Sequence, residues 1–178
     1  MNLLSGGLKL KISQELFTEL YNLKEKDFYK RFEFLGEGIS RKVFALNEEY
    51  VLKLAKGGEG YYQNKIEQFV YSYSPFKLKK YLCSIACYKP QLLIMKRAAP
   101  LSNNIQGKYV NLKNIRKEVE LFNDISELAD RFYLFYEDLI CVSSWGTLNG
   151  ENVLMDYGCT SYNGDFFYEM YFLVNSLK

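Results

Sequence analysis

From residue 32 onward the apolar positions come in short alternating runs, and turn residues cut those runs into strands. Residues 32–35 alternate and meet Gly36-Glu37-Gly38, a turn that lets the backbone approach a ligand closely. Residues 42–46 read as the return strand, and Asn47-Glu48-Glu49 as a polar reversal. Residues 50–55 form a third apolar run with one lysine, Lys53, set inside it. The glycines at 57, 58 and 60 break the chain; Ile66, Phe69, Val70 and Tyr73 then recur at helical spacing and predict a helix over 61–73, closed by Pro75. Two further strands are expected over 81–88 and 91–95, joined by a turn at Lys89-Pro90. Together these predict five antiparallel strands with one helix.

The flanks read differently. Ser13 is an N-cap for a helix over 14–26, with Leu16, Phe17, Leu20 and Leu23 on its apolar side. Residues 102–109 are polar and loop-like. A long helix is expected over 114–132, with Ile115, Val119, Phe122, Leu128, Ala129 and Phe132 inward; Asn123-Asp124 either interrupts it or caps a second one. Residues 145–155 form a hairpin turning at Asn149-Gly150. A last helix is expected over 165–177, and its Phe166, Phe167, Tyr168, Met170, Tyr171, Phe172 and Val174 must be buried in this chain or against another.

Lys53 sets the first chemical question. A cation inside a strand buried on both faces is costly unless an anion meets it, and the other reading is that it points to solvent on the pleat. Two carboxylates lie nearby, Glu67 on the border of the apolar face of the 61–73 helix and Glu59 before that helix.

Composition narrows the chemistry. At 178 residues with 48% hydrophobic and 17% aromatic content, the chain can bury a core, divided at most into two small lobes. Twenty-three basic and 21 acidic residues leave a net charge of +2, which gives no electrostatic case for nucleic acid. The patch Lys77-Leu78-Lys79-Lys80 with Tyr71, Tyr73 and Tyr81 is the one place where such a partner could stack and be neutralised. There is no histidine, which removes Ser-His and Cys-His catalysis and the usual zinc sites. Cys83, Cys87, Cys141 and Cys159 show no CxxC pairing and suit a reducing cytoplasm; Cys83 and Cys87 are expected on one strand face, in the core. No run approaches membrane-span length, and residues 1–7 lack the features of a signal peptide, so a cytoplasmic protein is expected.

Gly36-x-Gly38, Val43 and Val51-x-Lys53 resemble the glycine-rich loop and strand lysine of protein kinases, with Arg41 in place of the third glycine. Asp156-Tyr157-Gly158 resembles their metal-binding Asp-Phe-Gly. Over residues 32–160, the order of Asp138-Leu139, Trp145-Gly146 and Asp156-Tyr157-Gly158 is similar to small kinase-like proteins of bacteriophages and some bacteria. The resemblance implies an α+β, protein-kinase-like fold: a five-stranded antiparallel small lobe with one helix, plus a truncated, mainly helical second lobe. It divides the chain into a helical extension (1–30), a small lobe (31–97) and a reduced second lobe (98–178). It further implies ATP held by Gly36, Gly38, Arg41, Val43, Lys53, Met95 and Lys96, with residues 96–100 as the hinge whose backbone holds an adenine edge and Arg41 holding phosphates in part. Glu67 would pair with Lys53, Asp156 and Ser144 would hold Mg²⁺, and Asp138 would be the catalytic base. A phage origin and a host cytoplasm belong to the same implication.

Departures from the pattern split the functional reading. The kinase His-Arg-Asp is missing, Ser144 stands where relatives carry a metal-binding asparagine, and only 20 residues (178 − 158) follow Gly158, with no Ala-Pro-Glu. One reading is a slow or degenerate phosphotransferase. The alternative is an inactive pseudokinase that binds a partner protein or inhibits a host protein.

Overall fold

The strand pattern folds as one antiparallel sheet. Its strands are β1 (Glu33–Glu37), β2 (Arg41–Ala45), β3 (Tyr50–Ala55), β4 (Ile85–Lys89) and β5 (Leu92–Lys96), in the order β1-β2-β3-β5-β4. The computed structural model describes residues 12–176; the expectations for residues 1–7 and for Leu177 at the end of the last helix lie outside them. Two helices precede the sheet, α1 (Gln14–Tyr21) and α2 (Glu25–Arg31). They cover its outer face, where Phe17, Leu20 and Phe28 pack with Phe44, Leu52, Leu92 and Ile94. Each such side chain is worth about 1.5–3 kcal/mol when fully buried.

The single helix expected over 14–26 is therefore two. Asn22 ends α1, its side chain donating to the Thr18 carbonyl at 3.0 Å. The Asp27 carboxylate accepts the Lys24 N–H at 3.3 Å and starts α2. Asparagine competes with the helix backbone in this way, which a periodicity reading does not weigh.

Helix α3 (Gly58–Tyr73) packs on the inner face of the sheet and begins three residues earlier than expected. The glycine run is a close approach as well as a break: a Cβ on Gly60 would lie 2.4 Å from the Ser40 carbonyl oxygen and 2.8 Å from the Ala55 Cβ. Without that side chain, α3 can sit close enough to β3 for their side chains to meet.

After a short turn of helix, α4 (Phe76–Lys79), the chain enters the sheet at Ile85, later than the strand expected from 81. Tyr81 and Leu82 instead touch the second lobe, where Leu82 bridges Leu154. This separates the two cysteines expected on one face. Cys83 is buried in the main core, whereas Cys87, past an irregularity between Ile85 and Cys87, packs against the outer cluster.

The second lobe is small and mainly helical, with a three-stranded sheet of β6 (Ala99–Pro100), β7 (Trp145–Leu148) and β8 (Glu151–Leu154). Asn149 and Gly150 both take positive φ, as their hairpin turn requires. The helix expected over 114–132 breaks into α5 (Leu112–Ile115) and α6 (Leu121–Phe132). Arg116 is extended between them so that its guanidinium reaches Glu118 and donates to the Asn152 carbonyl at 2.7 Å. In consequence Val119 and Phe122, expected inward, are exposed. Asp124 does not interrupt α6; it sits in its first turn and accepts the Tyr81 hydroxyl at 2.9 Å.

Helix α7 (Tyr136–Leu139) is tied to β7 by the buried Trp145 Nε1–H, which donates to the Leu139 carbonyl at 2.7 Å. The last helix, α8 (Tyr162–Ser176), buries one face, with Tyr168 against Phe69 and its hydroxyl donating to the Phe132 carbonyl. Its Phe166, Met170, Leu173 and Val174 remain exposed, so burial within this chain accounts for only part of its apolar surface.

The architecture is thus α+β, a five-stranded antiparallel small lobe with one inner helix on a small, mainly helical second lobe. No helix among the described residues is long and apolar enough to cross a membrane.

Candidate functional site

Strand alternation separates the residues of β3. Leu52 joins the outer cluster, while Val51 and Lys53 face α3. The Lys53 ammonium donates to both Glu67 oxygens, at 2.8 and 3.1 Å, and to the Met155 carbonyl at 2.6 Å. An ammonium has three donors, and all three are met. Lys53 is 6% exposed and Glu67 not at all. The reading in which Lys53 points to solvent is therefore excluded, and the partner is Glu67; Glu59, in the first turn of α3, is exposed.

Arg41 stands on β2 and turns its guanidinium inward. Nη1 lies 3.2 Å from Asn64 Oδ1 and 3.0 Å from Glu67 Oε2; Nη2 donates to Glu67 Oε1 at 3.1 Å and to Asp156 Oδ1 at 2.7 Å. Asn64 and Glu67 lie three residues apart and share one face of α3. Two cations and two carboxylates thus form one network with no net charge. Burial opposes the charge on both Arg41 and Asp156, and their mutual attraction outweighs it. The charges of Arg41 and Lys53 hold the Asp156 carboxyl well below the usual carboxylate range, while Glu67 and Asp156 raise Arg41 above its ordinary value.

Asp156 is delivered by the strand β8, and the segment after it lies flat on α3. A Cβ on Gly158 would sit 2.7 Å from the Gln63 carbonyl oxygen, so only glycine fits there without a shift. Tyr157, fully buried, donates its N–H to Glu67 Oε1 at 3.3 Å and its hydroxyl to the Cys83 carbonyl at 2.8 Å. The Asp156 carboxylate itself is 53% exposed, toward the space between the lobes.

That space has two parts. A cleft of about 1060 Å³ runs between the sheet and the second lobe, walled by Val43, Val51, Met95, Leu148 and Met155, with Gly36 and Lys96 at its edges. Small-molecule sites span about 300–1,000 Å³. A hollow of about 310 Å³ adjoins it and brings Gly38, Arg41, Asp138, Ser144 and Asp156 together. Apart from Glu67, which is fully buried behind Lys53, the residues singled out from the sequence line these two adjoining spaces.

Their states differ from the expectation in three places. Arg41 spends its Nη donors on the protein and has only its Nε–H left, so it faces Asp156 more than it faces the cleft. Lys96 donates its N–H to the Ser84 carbonyl, receives the Cys83 thiol on its own carbonyl, and pairs its ammonium with Glu49. The N–H groups of Lys96 and Arg97 are hydrogen-bonded to the protein, whereas that of Ala98, which lines the cleft, meets no acceptor among the described residues. Asp138 shares the smaller hollow with the Cys159 thiol; burial first, then this carboxylate, pushes that thiol up to about 12. A thiol so protonated is no nucleophile at neutral pH.

A resident Mg²⁺ fits poorly. It asks for hard oxygen ligands in near-octahedral order. Asp156 has one oxygen committed to Arg41, Ser144 adds only a neutral hydroxyl, and no group of three His, Cys, Asp or Glu among the described residues could hold a metal.

The lysines of the 77–80 patch are spent on the protein. Lys77 pairs with Glu127 and Asp124, Lys80 with Asp124, and Lys79 lies over the Tyr71 ring, while Tyr81 is fully buried. Asn64 and the Met155 carbonyl were not legible as site residues. Asn64 alone had a signal, a polar residue one turn before Glu67 on the same helix face.

No family model matches the chain, and no curated protein matches it. Among solved structures it is similar to the streptomycin–ATP–APH(2″)-IIa ternary complex, an aminoglycoside phosphotransferase, at TM-score 0.40 and 16% identity, over 83% of this chain and 71% of that one. At that level the likeness assigns no residue and no activity here.

Proposed function

We propose that the chain is a kinase-like module that binds a nucleotide in the inter-lobe cleft and transfers its phosphoryl group slowly or not at all. One observation carries the reading: the cleft opens onto the buried Lys53–Glu67 pair, while the carboxylate at its far end is already matched by Arg41. The apolar walls suit a base, and the Ala98 N–H is available to its edge. Lys53, neutralised by Glu67, fixes β3 to α3 and shapes the phosphate end.

Phosphoryl transfer asks for more: charge neutralisation at the leaving oxygens and a carboxylate beside the attacking hydroxyl. Here the His-Arg-Asp that carries the base in kinases is missing, and the candidate base, Asp138, stands in the hollow beside the Cys159 thiol. A missing or misplaced group of this kind costs about 10²–10⁴-fold in rate.

Two measurements test the reading. ATP raises the melting temperature, and incubation with γ-labelled ATP leaves neither this chain nor an added acceptor protein labelled above background. A melting curve that saturating ATP does not move would end the nucleotide reading. Multiple turnovers of label would end the inactive one.

A further inference from the structure

We propose that the Arg41 guanidinium does the work of a divalent cation at Asp156, so that this chain binds a nucleoside polyphosphate without metal. The inference rests on the nucleotide reading above and specifies what that site does without.

The charge balance makes the case. Without Arg41, Lys53 would face both Glu67 and Asp156, leaving one uncompensated negative charge at the end of the cleft. In a kinase-like site that charge is the one a metal meets. Here Arg41 supplies a single positive charge and brings the sum to zero, with Nη2 at 2.7 Å from Asp156 Oδ1. A Mg²⁺ ion added at the same carboxylate would sit beside two buried cations, Arg41 and Lys53, whose ammonium is 4.0 Å from Asp156. Like charges that close repel strongly in a partly desolvated site.

The contact is built and not incidental. Arg41 is 5% exposed and is held from three sides, by Asn64, Glu67 and Asp156. Both α3 residues are themselves fully buried. A guanidinium also keeps its charge at any pH the protein survives and cannot dissociate as an ion can. Ser144, the other expected ligand, is a buried neutral hydroxyl and gives a competing metal little reason to displace the arginine.

The experiment compares ATP affinity by titration calorimetry in EDTA and in excess MgCl2, on the full chain. Wild type is expected to bind equally well in both, within about threefold. Arg41→Met keeps the side-chain length and loses the charge; it is expected to lose about tenfold or more in EDTA and to regain affinity when Mg²⁺ is added. Arg41→Lys restores metal-free binding in part. Should Arg41→Met fail to fold, which its melting curve without ligand would reveal, the wild-type comparison still decides. Wild-type binding that collapses in EDTA overturns the proposal while leaving the nucleotide reading intact. Binding in neither condition overturns both.

Discussion

The two faces of β3 hold the sheet in place by opposite means. On the outer face Leu52 packs with Phe44, Leu92, Ile94 and the side chains of α1 and α2, an apolar seam with no polar atom to satisfy. On the inner face, one residue along, Lys53 is buried just as deeply but among Glu67, Arg41 and Asp156. The outer seam tolerates change because its stabilisation is spread over many weak contacts. The inner face does not, since removing a fully buried charge such as Glu67 strands its partners in a low-dielectric interior. A chain that needed only stability would favour the outer solution on both sides. Four charges are kept where the cleft opens, on the face that carries the proposed nucleotide site.

That contrast can be broken by substitution. Glu67→Ala should be the most damaging change, leaving Lys53 and Arg41 buried with only the half-exposed Asp156 to answer them. Urea titration is expected to show a loss of about 3–5 kcal/mol, and a loss below about 1 kcal/mol would mean the network is not under the strain of desolvation claimed for it. Ile94→Val on the outer face, fully buried in wild type, should cost about 0.5–1.5 kcal/mol. It should leave ATP affinity unchanged, because no outer residue reaches the cleft; a parallel fall in affinity would show the two faces to be coupled.

The smallest effect separates the faces by pH. Asp156 titrates below its ordinary range in the folded chain, so its contribution is present at neutral pH and is lost as the medium is acidified through and below the usual carboxylate values. With half its carboxylate exposed, the pair is worth less than about 1 kcal/mol. Asp156→Asn should therefore flatten the acid limb of a stability–pH curve slightly, and Ile94→Val should shift the whole curve without changing its shape. An Asp156→Asn curve parallel to wild type would remove Asp156 from the network.

The small-lobe strands were legible because period-two alternation and turn residues are local signals, and Lys53 stood out as a charge in an apolar run. Where the reading failed, a distant contact had overruled local periodicity. Arg116 left the helical path to reach β8 and carried Val119 into solvent. Cys83 belongs to the main core because Tyr81 and Leu82 dock on the second lobe, not because of any strand period. Arg41 was visible as a departure from a glycine pattern, yet nothing local told which way its guanidinium would point.

By itself the sequence determined the sheet, the helix across it and a lysine set inside an apolar strand, since alternation and helical spacing are local signals, while the glutamate opposite that lysine was an expectation carried by the kinase resemblance. Only the tertiary structure decided what the late aspartate meets. Asp156 lies 115 residues from Arg41, and at that separation the chain carries no periodic signal of contact. The lobes had to close before a carboxylate expected to face a metal could be found beside an arginine.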